Sequence, residues 1–372
     1  MDCINRSWVE VSIEKLKKNY RIYKDNIPAD KTVMAVVKAN AYGHGDTKVA
    51  KLLNQIGCFH FAVSNIEEAI GLRKADIEGS ILILGYTPIN QAEQLEKFDI
   101  TQTLISESYA EALNDTGFKI KSQFAIDTGM NRIGLDADYP EECERVIRKY
   151  ANCSNLIING MFTHLCVADT DDEKCIQFTK EQIYKFERMA ARVGDLNLKE
   201  VHCLNSAAGI WHESERSIFV RLGIIMYGLK PDYLNYLPDG IEPVLEWKSV
   251  ISMVKTVRKG ETIGYGRTFM AEKNMTVATI PTGYADGYNR LLSNHGYVLI
   301  NGQRAPIVGR VCMDQFMVDV SCINNADMGT EVILIGKCGE EMLTADDMAQ
   351  MIDTIGYEVV CNISSRVNRV YL

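Results

Sequence analysis

Lys38 stands at the end of an apolar run, in Val-Val-Lys-Ala-Asn-Ala-Tyr-Gly-His-Gly. An amine with little access to water has a lowered pKa and can form a Schiff base with an aldehyde, the attachment that pyridoxal phosphate chemistry requires. The competing reading is a lysine that snorkels from a strand end, and without further support it prevails, because one lysine has no specificity. Support comes from two later segments, Asn205-Ser206-Ala207-Ala208 and Arg221-Leu222-Gly223-Ile224. Ser206 offers a hydroxyl and Gly223 an accessible backbone N–H, groups suited to a phosphate. A helix cap at Ser206 and a tight turn at Gly223 explain them about equally well. Neither is a Walker motif, since the Gly223 to Gly228 spacing is not followed by Lys-Ser or Lys-Thr.

His164 and His202, with Asp127, suggest a metal site only weakly. The histidines lack a ligand-spacing signature, and each more simply orients a neighbouring arginine or tyrosine, so no metal is expected. The last third of the chain carries Ile263-Gly264-Tyr265-Gly266-Arg267, then Pro281-Thr282-Gly283-Tyr284-Ala285-Asp286-Gly287-Tyr288, then Val311-Cys312-Met313-Asp314-Gln315. Glycines on both sides of Tyr265 let a phenol project from a close turn; a purely structural tyrosine stands as the even alternative.

These groups need elements to hold them. From Thr32 to about Gly228, short β-branched segments alternate with longer stretches of helical period. Strands are expected at Thr32–Val37, Phe59–Ser64, Ser80–Leu84, Thr101–Ile105, Lys121–Asp127, Leu156–Phe162, Val201–Leu204 and Ile218–Arg221. Helices are expected between them, among others Asp46–Gln55, Ile66–Lys74 and Glu173–Val193. Eight such units favour an α/β fold of the (β/α)8 TIM-like barrel type over a doubly wound sheet, which gives the same alternation. Reactive groups would then gather at the C-terminal ends of the strands, where Lys38 and Arg221 fall. After Pro243 the texture becomes strand-like, at Lys248–Val257, Met275–Ile280, Gly296–Ile300, Arg304–Val311, Phe316–Val320 and Glu331–Ile335, with one helix at Thr344–Thr354. The expected division is a barrel domain at 1–240 and a mostly β C-terminal domain at 241–372, with Pro231–Pro243 as linker.

Composition narrows the function. A net charge of -9 with dispersed Lys and Arg gives no footprint for nucleic acid. No apolar run approaches the roughly 20 residues of a membrane span. Eleven cysteines occur without a CxxC pair, which fits reduced thiols in a cytoplasmic setting, either as a free protein or as the cytoplasmic domain of a longer membrane protein.

Together these segments resemble the signatures of the alanine racemase family, from Trp8-Val9-Glu10 through Arg366-Val367, with Lys38–Gly45 similar to that family's cofactor-lysine signature. The resemblance implies pyridoxal 5'-phosphate as cofactor, a small amino-acid substrate, and a head-to-tail homodimer in which each site combines one barrel with the partner's second domain. Tyr265 then acts in trans. By position Tyr42, Ser206, Gly223, Ile224 and Tyr357 match the phosphate-holding residues. Arg221 matches the arginine that faces the pyridine nitrogen, oriented by His202. Lys38 would hold the cofactor and then serve as base, while Tyr265 exchanges the second proton on the opposite face. Arg132, the N–H of Met313 and the adjacent Asp314 belong to the substrate-binding set, with His164 supporting Tyr265 and Tyr284 at the entrance. The activity implied is interconversion of L- and D-alanine, supplying D-amino acid for peptidoglycan.

One position departs from the family pattern. Many relatives carry a carbamate-modified lysine two residues before the matching aspartate, bracing the arginine; this chain has Ala125. A bound anion or a nearby asparagine would have to brace Arg132 instead. Serine racemization on the same residues stays open, because one hydroxyl separates the substrates. A decarboxylase fits less well, since such enzymes face the ring nitrogen with a carboxylate where this chain has Arg221. A non-catalytic cofactor carrier of the single-barrel type would lack the second domain that holds Tyr265, Met313 and Asp314.

Overall fold

The computed structural model describes residues 6–231 and 237–372. Eight short strands, Thr32–Val36, His60–Val63, Ser80–Ile83, Thr101–Leu104, Ile120–Asp127, Leu156–Phe162, Glu200–His202 and Phe219–Leu222, pair in parallel in sequence order. The eighth pairs with the first, with Arg221 opposite Met34. A parallel bridge between Leu204 and Val220 joins the seventh to the eighth and completes the ring. The expected TIM-like barrel is therefore the fold. Its strands are buried, as in Val33–Val36 and Phe61–Val63, because helices cover the outside and side chains fill the inside. Capping fixes where the helices begin: Asn65 accepts from Glu68 N at 2.9 Å and Ser106 from Tyr109 N at 3.1 Å.

The C-terminal part is mostly β, as expected, but it recruits the start of the chain. Ser7–Val11, where no strand is expected from the sequence, runs antiparallel to Leu245–Val250 and parallel to Asn368–Tyr371. Its alternating burial puts Ser7, Val9 and Val11 inward. Gln303–Pro306, Tyr297–Ile300, Glu331–Cys338 and, paired to the last of these, Glu341–Leu343 complete that sheet. The single strand expected over Lys248–Val257 is two, Leu245–Val250 and Met253–Val257, in different sheets. The break is local: Ile251 N bonds Thr330 O at 2.9 Å while Ser252 N bonds Thr279 O at 2.9 Å, so consecutive residues turn toward different partners. The expected helix is shorter, Ala345–Met351, started by a capping box between Thr344 and Asp347. A further helix, Gly356–Cys361, follows and packs against the segment after the first barrel strand. Of the expected linker Pro231–Pro243, residues 232–236 lie outside the described residues.

Candidate active site

The C-terminal ends of the barrel strands enclose a cavity of about 470 Å³. Lys38, Tyr42, Arg132, His164, Ser206, Arg221, Gly223, Ile224 and Tyr357 all line it. Burial, then repulsion from Arg132, pushes the Lys38 amine down from the ordinary lysine value, against weaker opposing contributions from Cys361 and Glu68. Directly after Lys38 the backbone makes a left-handed turn: Ala39, Asn40, Ala41 and Tyr42 have φ between 52 and 55°. Each non-glycine residue in that region costs roughly 1–2 kcal/mol. Such strain persists only where the surroundings over-determine it, as they often do at functional sites. Here Gly43 N bonds Ala39 O at 3.0 Å and Gly45 N bonds Asn40 O at 2.8 Å. Gly43 itself, at φ 81°, lies so close to the helix Gly356–Cys361 that a Cβ would come within 2.1 Å of Val360 O.

A chain of four side chains fixes the guanidinium at the cavity floor. Glu200 can only accept, so the amide nitrogen of Gln123 must face it, and Gln123 Oε1 is left to accept from His202 Nε2–H at 2.8 Å. His202 therefore turns its bare Nδ1 to Arg221 Nη1, which donates at 2.7 Å. Its ring stacks on Phe162 at 5.2 Å. Burial, and then the Arg221 charge, hold His202 well below its usual pKa, in keeping with a neutral acceptor. Arg221 Nη2 donates to Thr163 O at 2.7 Å and more weakly to His164 Nδ1 at 3.3 Å. Burial lowers the Arg221 pKa to about 10, still a cation at neutral pH. Both terminal nitrogens are committed to protein acceptors, and none of these bonds falls on Nε. His164, pushed down to about 3 by burial and then by Arg221, Arg132 and Lys38, is likewise neutral. Both histidines thus serve the arginine, and among the described residues no group of three His, Cys, Asp or Glu is spaced for a metal ion.

At the other end of the cavity Ser206 Oγ accepts from Gly223 N at 2.7 Å. A Cβ at Gly223 would come within 2.9 Å of Tyr42 Oη, so the missing side chain leaves room where a hydroxyl, a phenol and a backbone N–H converge. Tyr357 reaches the same place from the C-terminal part, its ring centroid 6.0 Å from that of Tyr42. The Gly223 N–H is taken up by Ser206 Oγ, and two hydroxyl groups, of Ser206 and Tyr42, stand beside it.

The second group of predicted residues stands elsewhere. Tyr265, Tyr284, Met313 and Asp314 do not line the cavity of their own chain. Tyr265 is 71% exposed on a short turn, Tyr265–Arg267. Tyr284 N bonds Cys312 O at 3.0 Å and Ala285 N bonds Met313 O at 3.0 Å, so two of the loops form one unit. Asp286, wholly buried, takes paired bonds from Arg6 at 2.6 and 2.8 Å. Burial raises its pKa, but Arg6, the Gly283 N–H and Arg366 outweigh that and hold it below the ordinary range. Arg366 also grips Asp314 at 2.8 Å. Tyr265, Tyr284 and Met313 are exposed, while Asp286 behind them is buried.

Arg132 lies in the cavity wall close to Ala125, which is buried. Asp127 accepts from Gly129 N and Asn131 N at 2.9 and 3.1 Å, shaping the loop that carries Arg132. Sequence reasoning passed over Gln123 and Glu68. Gln123, buried among the barrel strands, has only its polarity to mark it, and Glu68, three residues after Asn65, has the spacing of a capping partner.

Comparison with known proteins matches residues 11–231 to the alanine racemase N-terminal domain and residues 244–371 to the alanine racemase C-terminal domain. A relative named alanine racemase from Halothermothrix orenii is 40% identical over 373 residues, covering 98% of this chain and 96% of its own. A solved alanine racemase from Clostridium difficile 630 superposes with a TM-score of 0.92 at 36% identity, over 100% of this chain and 97% of the other. The alanine racemase from Bacillus anthracis with bound L-Ala-P gives 0.93 at 34% identity, over 100% and 96%.

Proposed function

The chain belongs to the alanine racemase family, and from that premise we propose that it interconverts L- and D-alanine by a two-base mechanism with pyridoxal 5'-phosphate as cofactor, supplying D-alanine for peptidoglycan. The observation that carries the reading is one cavity holding the Lys38 amine, an Arg221 whose bonds to the described residues run from Nη1 and Nη2, and the pocket between Tyr42, Ser206 and Gly223. These residues fit the cofactor: an amine for its aldehyde, a donor for its ring nitrogen, and an anion pocket for its phosphate, to which Ile224 and Tyr357 would add.

Pyridoxal phosphate, when bound, supplies the aldehyde to which amines join and a ring that delocalises the electron pair left at the substrate α-carbon. Arg221 would meet the ring nitrogen as a permanent cation, keeping that nitrogen unprotonated and limiting side reactions such as transamination. His202 would hold Arg221 to that line. Lys38 would hold the cofactor through its amine and, with its pKa lowered first by burial, would take the α-proton on one face. Tyr265 of a second copy, with His164 supporting it, returns a proton on the other. Arg132 and the Met313 N–H, next to Asp314, would hold the substrate carboxylate, and Tyr284 would stand at the entrance. The exposure of Tyr265, Tyr284 and Met313 on the monomer supports a homodimer in which they complete another subunit's cavity.

We divide the chain into a barrel domain at 1–240 and a mostly β domain at 241–372, with Ser7–Val11 lent by the first to the sheet of the second. No helix among the described residues is long and apolar enough to cross a membrane. The proposed setting is the cytoplasm, where eleven cysteines stay reduced.

The test is racemization of L-alanine and L-serine, side by side, by purified protein supplied with pyridoxal phosphate. The proposal predicts turnover with a strong alanine preference. Comparable or greater serine turnover would make the protein a serine racemase, and no turnover of either would leave a cofactor carrier.

A further inference from the structure

We propose that Glu68 is a positioning residue of the cofactor site, pinning the left-handed turn that carries Lys38 and Tyr42. The inference rests on the function proposed above. Glu68 occupies the third position of the helix Ile66–Lys74, whose cap is Asn65. A glutamate there ordinarily folds back onto the N–H of the cap residue itself. Glu68 reaches further. Its Oε2 accepts from Ser64 N at 2.8 Å and Ser64 Oγ at 3.0 Å, and its Oε1 accepts from Ala39 N at 2.7 Å. The carboxylate thus bridges the ends of the first two barrel strands.

Ala39 is the residue after Lys38 and the first of four consecutive non-glycine residues at positive φ. The far end of the turn is tied by its own backbone and by Asn40 Oδ1, which accepts from Asp46 N at 3.1 Å. At the near end, the Ala39 N–H is anchored by Glu68. If this bond is lost, the near end can relax toward the right-handed backbone that alanine and asparagine prefer. Such a change redirects two groups at once, the Lys38 amine and the Tyr42 phenol on the anion pocket. A negative charge at this place also opposes the crowding of Lys38 by Arg132 and Arg221.

Glu68→Gln keeps the shape but sets an amide N–H against a backbone N–H at one of the two bridged sites. The measurements are the affinity of the apoprotein for pyridoxal phosphate, read by fluorescence quenching, and the Tm of the apoprotein without it. The expected result is binding weakened about tenfold or more in both Glu68→Gln and Glu68→Ala, from the loss of charge-assisted hydrogen bonds. The apoprotein Tm should stay within about 3 °C of the parent. Adding Ala39→Gly to Glu68→Gln should recover about threefold or more of the affinity, because glycine adopts positive φ without the steric cost. Affinities within about twofold of the parent in both single variants, a Tm that falls in step with affinity, or no recovery from Ala39→Gly would each overturn the assignment. A parent protein that takes up no pyridoxal phosphate would instead bring down the proposed function, and this inference with it.

Discussion

At the scale of single residues, the site separates groups that exchange protons from groups that are held in one state. Tyr265 is exposed on its turn and free to meet a substrate in a neighbouring subunit. Tyr265→Phe should lower racemization by about 10²–10⁴-fold, the usual contribution of one acid/base group, while the absorbance of the bound cofactor stays as in the parent. Full activity in that variant would remove Tyr265 from the mechanism. His164 belongs to the second class. Its folded pKa of about 3 lies below the ordinary histidine value, so the folded state binds fewer protons than the unfolded chain between those two values. Stability from this position is therefore complete above the unfolded pKa and is lost as pH falls toward the folded one. His164→Gln should reduce the drop in apoprotein Tm between about pH 7 and about pH 4. An unchanged drop would mean that His164 is already protonated in the folded protein. Lys38, Ser206, Arg221 and Gly223 were legible in the sequence because strand ends of a barrel are where such groups collect. Gln123 and Glu68 were missed because each acts through another residue, with only a polar residue in an apolar segment and a capping spacing to mark them.

At the scale of elements, the turn after the eighth barrel strand lines the pocket proposed for the phosphate, and Gly223 is its narrow point. A Cβ there would come within 2.9 Å of Tyr42 Oη, so space at this position favours glycine. Gly223→Ala should weaken pyridoxal phosphate binding without loss of fold, as read by apoprotein Tm and cofactor titration; unaltered affinity would show that the phosphate lies elsewhere. Barrel strands such as Val33–Val36 and Ile81–Ile83 were readable because parallel strands covered on both faces give apolar runs, and the regular alternation with helices located the more polar Thr101–Leu104. The C-terminal strands were harder. Alternation continues through Leu245–Val257, yet Ile251 and Ser252 bond into different sheets, which period alone does not reveal. Ser7–Val11 is short, and its partners lie more than 230 residues away, with Ser7 opposite Ser249 and Trp8 opposite Asn368. No local pattern announces a pairing of that range. The helix Gly356–Cys361 was missed for its brevity, although it brings Tyr357 to Tyr42.

At the scale of the whole molecule, the proposed site is divided between two places on one chain. The cavity holds Lys38, Arg132 and Arg221, and the loops with Tyr265, Tyr284 and Met313 stand outside it. The Arg6–Asp286 and Arg366–Asp314 pairs tie down the two loops that carry Tyr284 and Met313. A head-to-tail dimer makes the two halves meet, and it gives mutants a property that a self-contained site cannot have. Lys38→Ala and Tyr265→Phe chains, each inactive alone, would in a mixed dimer place both defects in one site and neither in the other. The most direct test of the account is to co-refold the two variants in equal amounts with pyridoxal phosphate and measure alanine racemization. The account predicts recovery to about a quarter of the parent activity, since half of randomly paired dimers are mixed and each has one intact site. A mixture as inactive as its components, with mixed dimers shown to be present, would contradict a site that joins Lys38 of one chain to Tyr265 of another.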